Sequence, residues 1–232
     1  MAEQIENKLR WINIGNGTGL IQLLTLGNLL EKFPNEELIG LEIGCAYGGG
    51  VEAGARLWKG RGKFYGYDTF EGHPVDLAAD PEDLEATCMD MWYNDENFGT
   101  WRLDYKYQEK KLREIGLDNA FLVKGRLTEH SFDDIEKIHF AIIDLDLIKP
   151  TKIAYEAIKD KIVVGGYLFM HDALPEDHLP MIHSYVYHQI IPEGRWKIMY
   201  ESPKGNLTAM ERWTNVHGNL NGQLLDISKD KA

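Results

Sequence analysis

Residues 41–50 read LEIGCAYGGG, in which an apolar run closes on Gly44 and, three residues later, three more glycines follow. With the preceding Leu38, Ile39 and Gly40, the run predicts a buried strand over 38–46. The glycines then open VEAGARLWKG, which predicts a helix over 48–60. A strand that turns through small residues into a helix leaves unpaired N–H groups at the helix start. It also lets a ligand approach the backbone closely. The pattern is not G-x-G-x-x-G, because Ala46 stands where the second glycine belongs. Glu42 is a carboxylate inside an apolar strand, two residues before Gly44. Either a cationic or amine-bearing ligand or a structural arginine would give it a partner.

Working outward, the same alternation repeats. Residues 18–33 predict a helix that ends at Pro34, and KFYGYD (63–68) predicts a second strand. Residues 103–116 predict a helix stopped by Gly116, AFLVKG (120–125) a third strand, and SFDDIEK (131–137) a short helix. HFAIIDLD (139–146) predicts a fourth strand, 149–162 a helix, and GGYLFMHD (165–172) a fifth strand. Residues 176–191 predict a helix. WKIMYES (196–202) and LTAMERW (207–213) predict two strands joined by PKGN. Near-continuous apolar strands alternating with helices mean a parallel sheet covered on both faces. The last two strands are too close for a helical crossover and must pair antiparallel. The expected fold is one doubly wound α/β domain over 1–232, with a mostly parallel sheet, an antiparallel C-terminal edge and an insertion at about 75–102.

Composition excludes several classes. Hydrophobic residues make 44% and charged residues 27%, which argues for a packed domain and against disorder. The 25 Lys and Arg against 37 Asp and Glu leave a net charge of −12, which argues against sequence-independent nucleic-acid binding. No apolar run reaches the roughly 20 residues of a membrane span. MAEQIENKLRW (1–11) lacks the apolar core of a signal peptide. Cys45 and Cys88 form no metal-like cluster, so a reduced, cytoplasmic protein is expected.

Ligands in doubly wound sheets sit beyond the carboxyl ends of the strands. Four strand ends carry chemistry. The glycine loop after strand one is the first. Asp68 ends strand two in FYGYDTFEGHP (64–74) and suits either the two hydroxyls of a ribose or a turn and cap role. Asp144 and Asp146 in DLDLIKP (144–150) would share one face if the strand continued, and two carboxylates there suit a hard cation such as Mg²⁺ or Ca²⁺. The alternative is one functional Asp and one that caps the next helix. His171 and Asp172 end strand five, and if strands four and five are neighbours, Asp144 and Asp172 can share an ion. His171 then stands as a metal ligand, a general base or a packed core histidine.

LEIGCAYGGG, YDTFEGHP, the carboxylate-rich strand four and GGYLFMHD together resemble the class I S-adenosylmethionine-dependent methyltransferases. Over roughly 38–175 they resemble more narrowly the macrocin O-methyltransferase family, metal-dependent enzymes that methylate sugar hydroxyls on natural products. The resemblance implies a seven-stranded Rossmann-like sheet. It implies that Glu42 and Gly44 sit at the methionine and ribose side of S-adenosyl-L-methionine, with Tyr47 and Gly48 beside them. Asp68 would bind the ribose, with Thr69 and Phe70 in the same loop, and Gly125 and Arg126 would lie near the adenine. Asp144 would border the cofactor and, with Asp172 and His171, hold Mg²⁺. This chain has Leu145 where the family has glycine, His171 where it has a carboxylate, and Ile148 and Lys149 where a tyrosine–acid pair is common.

Asp144 and a bound ion would then orient the acceptor, and Asp146 or His171 would take its proton. The expected partner is a small hydroxylated substrate. The aromatic residues at 75–102 (Trp92, Tyr93, Phe98, with Trp101) would form a lid over it, or else a contact of a homodimer. Two other readings stay open. One is an NAD-dependent oxidoreductase, which Glu42 and the absent second glycine oppose. The other is a non-catalytic nucleotide-binding protein on the same fold.

Overall fold

The computed structural model describes residues 18–72, 103–173, 179–201 and 207–213. Seven strands form one sheet: β1 (Leu38–Ile43), β2 (Gly62–Asp68), β3 (Ala120–Lys124), β4 (Ile138–Ile143), β5 (Ile162–His171), β6 (Trp196–Glu201) and β7 (Leu207–Arg212). Their order across the sheet is β3-β2-β1-β4-β5-β7-β6. The first five run parallel, and β7 inserts antiparallel between β5 and β6. The expected mostly parallel, doubly wound sheet with an antiparallel C-terminal end is therefore the observed one. The order reverses between β1 and β4, which leaves a crevice at their carboxyl ends.

The helices are α1 (Thr18–Lys32), α2 (Gly49–Leu57), α3 (Tyr105–Glu114), α4 (Ile148–Ile158) and α5 (Pro180–Tyr185). After α5 the helix widens into a π turn, Val186–Ile190, and tightens into a 3₁₀ turn, Ile191–Glu193. Among these helices none is long and apolar enough to cross a membrane.

Period-two alternation assigns the core. In β4 all six side chains are buried, as a central strand covered on both faces requires. Ala141 and Ile143 pack with Leu168, Met170, Tyr155 and Tyr185 under α4 and α5. Phe140 and Ile142 face the other way and pack with Phe64, Phe169 and Trp58 under α1 and α2. Each of the buried Leu, Ile, Phe and Met side chains contributes roughly 1.5–3 kcal/mol. Trp58 also satisfies its indole N–H, which donates to the Leu26 carbonyl at 3.0 Å. Asp104 caps α3 by accepting from the Tyr107 amide at 3.1 Å, and Gly116 ends the segment at φ 75°, as its position predicts.

Two local expectations fail. Residues 131–134 form turns and 135–137 an irregular connection rather than a helix. The Ser131 hydroxyl accepts from the Thr128 amide and the Thr128 hydroxyl from the His130 amide, and such side-chain bonds compete with helix formation. The fourth strand stops at Ile143, and Asp146 has φ 59°, so Asp144 and Asp146 do not alternate along one strand face. The insertion at 75–102 and the PKGN connection lie outside the described residues.

Candidate active site

The ends of β1, β2, β4 and β5 meet on one edge, and the backbone there is strained. Only four non-glycine residues among those described have positive φ: Ala46 (40°), Phe70 (55°), Asp146 (59°) and Asp172 (55°). Each lies just beyond one of these four strands. Such conformations cost of order 1–3 kcal/mol each and concentrate at functional sites. Ala46 at φ 40° also shows why a glycine is the commoner residue there.

Gly44 is required for packing as well as for its φ of 91°. A Cβ on it would overlap the Asp144 carbonyl, because the Asp144 amide donates to the Ile43 carbonyl at 2.8 Å. The Gly44 and Cys45 amides both donate to the Tyr67 carbonyl, at 2.8 and 3.2 Å, which ties the loop to β2. Cys45 is a free thiol packed against Gly66, and burial raises its pKa.

Among the described residues no arginine pairs with Glu42. Its carboxylate accepts from the Val51 amide at 2.8 Å, in the first turn of α2. Gly50 makes this possible, since any Cβ at that position would overlap the Glu42 carboxylate. This role of Gly50 went unassigned in the sequence; the only signal is its place as the third glycine of the run. Burial pushes the Glu42 carboxyl up to about 8, against the pull of the Val51 amide and with added repulsion from Asp144 and Asp68. A half-buried carboxyl with an amide on one side and no cationic partner among the described residues is the feature a ligand ammonium or sulfonium would complete.

Asp68 stitches two loops. One carboxylate oxygen accepts from the Ala46 amide at 2.9 Å, and the other accepts from the Phe70 amide at 2.7 Å. Each oxygen keeps a further lone pair for a ribose hydroxyl. Thr69 builds the next turn by donating to the Gly72 carbonyl at 2.9 Å. Phe70 is 2% exposed and packs on the Tyr105 ring at 5.2 Å, so it anchors the loop from below. The Gly125 amide donates to the Asp68 carbonyl at 3.0 Å, which brings the end of β3 to the same edge. A Cβ on Gly125 would meet no described atom within 4 Å, so Gly125 stands beside open space, while one on Gly48 would touch Leu122 at 3.7 Å. Tyr47 and Arg126 are exposed on this rim. Cradle, carboxylates and open space thus fit an adenosyl cofactor whose charge is positive.

Asp144, His171 and Asp172 converge, with one ligand atom from each lying within 4.8 Å of the others. His171 Nδ1 is 3.2 Å from Asp144 and 2.9 Å from Asp172, yet it is buried without a hydrogen bond of good geometry. Burial works to lower the His171 pKa, but the two carboxylates, Asp144 ahead of Asp172, outweigh it and hold the imidazole well above its ordinary value. Two carboxylates and an imidazole converging on one point fit a divalent cation. Asp146 is not among the three converging residues.

No protein-family model and no curated protein matches the chain. Solved structures do. The calicheamicin methyltransferase CalS11 superposes with a TM-score of 0.63 at 16% identity, covering 93% of this chain and 86% of its own. The O-methyltransferase NovP gives 0.61 at 15% identity, over 83% of this chain and 79% of its own. An rRNA methylase from Streptococcus thermophilus gives 0.50 at 17% identity, over 84% and 95%. With strand order β3-β2-β1-β4-β5-β7-β6 and an antiparallel β7, the chain has the Rossmann-like fold of the class I methyltransferases.

Proposed function

We propose that the protein is an S-adenosylmethionine-dependent O-methyltransferase that methylates a hydroxyl of a small molecule such as a sugar or natural product, with help from a divalent cation. The observation that carries this reading is the Glu42 carboxyl beside the glycine loop, which has no cationic partner among the described residues and lies one strand away from the Asp144–His171–Asp172 group. Folds alone do not select a substrate. CalS11 is described as a TDP-rhamnose 3′-O-methyltransferase, which supports a sugar hydroxyl as the acceptor class.

The cofactor supplies an already activated methyl group. Glu42 holds its positive end, Asp68 its ribose, and the loops at Tyr47–Gly48 and Gly125–Arg126 flank the remainder. Holding acceptor oxygen and methyl in line supplies roughly 7–11 kcal/mol of the barrier reduction. A cation held by Asp144, Asp172 and His171 would orient neighbouring acceptor oxygens and lower the hydroxyl pKa. Asp146, at the same edge, is the residue left to accept the hydroxyl proton. One imidazole with two carboxylates suits Mn²⁺ at least as well as Mg²⁺, since imidazole is a better ligand for the softer ion.

Methyl transfer to a sugar-nucleotide and polyol panel, with Mg²⁺, Mn²⁺ or EDTA, tests the reading. Turnover that EDTA abolishes and either ion restores supports it. Turnover that survives full chelation removes the cation from it. A thermal shift with NAD and none with S-adenosylhomocysteine would replace it by the oxidoreductase reading.

A further inference from the structure

The left-handed turn at Asp172 needs a holder. An L residue at positive φ relaxes toward an ordinary conformation unless its surroundings over-determine it. Asp172 sits at φ 55° and is buried, and its carboxylate lies 2.9 Å from His171 Nδ1, in the group completed by Asp144. The residue after it is fixed twice. Ala173 is fully buried, in the core that also holds Leu179 and Ile182. Its carbonyl lies 2.9 Å from Nδ1 of His183, on α5. A carbonyl only accepts, so Nδ1 carries the hydrogen and the imidazole donates. Methyl group and carbonyl together set the orientation of Ala173, and with it the peptide that leaves Asp172.

The imidazole is itself held. Its ring lies against the Tyr187 ring, with centroids 4.5 Å apart and planes inclined by 32°. The Tyr187 hydroxyl donates to the Glu201 carboxylate at the end of β6 and stands 3.4 Å from the Thr208 hydroxyl on β7. Thr208 is fully buried and pairs with Met170, the residue before His171. The contacts therefore close a ring, from the end of β5 through Ala173, His183 and Tyr187 to β7 and back to β5.

We propose that His183 is a positioning residue for the candidate cation site: by holding the Ala173 carbonyl it fixes the turn that aims the Asp172 carboxylate at Asp144 and His171. The proposal rests on reading those three residues as ligands of a divalent cation. His183 acts through Asp172 and not on the ion itself. Groups that orient a ligand from behind are typically worth about 10–100-fold in metal affinity.

Titration of the full chain with Mn²⁺, followed by the electron paramagnetic resonance of the free ion, tests it. His183→Phe keeps a ring against Tyr187 but has no N–H, whereas His183→Asn keeps a donor near the place of Nδ1 but loses the ring. His183→Phe should weaken Mn²⁺ binding about 10–100-fold, and His183→Asn should retain most of it. S-adenosylhomocysteine should bind all three proteins alike, which a general loosening of the fold would not allow. Should His183→Phe fail to fold, His183→Leu also lacks the N–H and serves in its place. Unchanged Mn²⁺ affinity in the variant without the donor, or an equal loss in His183→Asn, overturns the proposal. Hydrogen–deuterium exchange separates that failure from failure of the cation reading. If the unaltered protein binds no Mn²⁺, the cation reading falls. Faster exchange at 171–173 in His183→Phe but not in His183→Asn then still assigns the turn to His183, and equal exchange in all three proteins overturns that assignment as well.

Discussion

Glu42 makes a quantitative demand on cofactor binding. A carboxyl held at about 8 is protonated in roughly ten molecules of eleven at pH 7. A cationic ligand that needs the carboxylate must therefore displace a proton, at a cost of about 1.4 kcal/mol at that pH. Between pH 6 and pH 8 the ionised share rises from about one in a hundred to about one half. If only the ionised form accepts the cation, affinity for S-adenosylmethionine rises about fiftyfold across that interval. Binding at pH 7 should also release close to one proton. Titration calorimetry in buffers of different ionisation enthalpy reads both quantities. Glu42→Gln keeps an oxygen for the Val51 amide but cannot ionise. It should bind more weakly at pH 8, with a flat pH profile and no proton release. A flat profile in the unaltered protein, or the same slope in Glu42→Gln, would refute the assignment of Glu42 to the positive end of the cofactor.

Further outcomes follow from the same edge and from the opposite one. Gly44→Ala forces a Cβ onto the Asp144 carbonyl at φ 91°, so urea denaturation should show a loss of about 2–5 kcal/mol, with β1 and β4 pushed apart. Asp68→Ala strands the Ala46 and Phe70 amides, costing about 1–3 kcal/mol for each, and should weaken S-adenosylhomocysteine binding; Asp68→Asn, which keeps one acceptor oxygen, should lie between. His139 is buried, its Nδ1 accepts from the Ile39 amide at 3.1 Å, and burial lowers its pKa against the raising effect of Glu36, with Lys137 adding to the lowering. The unfolded chain takes up that proton first, so this contribution is complete above about pH 6.5 and is lost as pH falls below it. His171 titrates in the opposite sense, so the readout is the difference between the unaltered protein and His139→Gln in urea midpoint from pH 7.5 to 5.5. An identical pH slope in both would sink the claim.

The strands were legible because a parallel sheet covered on both faces needs near-continuous apolar runs, and IHFAII and LIGLEI supply them. The antiparallel end was legible from spacing alone. Those two facts put four strand ends on one edge, and with them Glu42, Asp68, Asp144, His171 and Asp172. What stayed hidden depends on φ and on close approach, which periodicity does not encode. Asp144 and Asp146 look like strand alternation in sequence, but Asp146 turns left-handed as soon as the ladder stops. The partner of Glu42 is a backbone amide, which leaves no trace in residue types. The π turn at Val186–Ile190 reads as ordinary helix, because its apolar positions still face the sheet.

The left-handed residues after the four strands also set a rule for anyone who would engineer the protein. Replacing Ala46, Phe70, Asp146 or Asp172 with glycine relieves local strain, yet three of the four would lose a side chain assigned to anchoring or chemistry. Ala46 is the exception, since its methyl group has no assigned role. Thermostability gained at Ala46→Gly should therefore come with activity intact, whereas the same change at Asp146 or Asp172 should exchange one for the other.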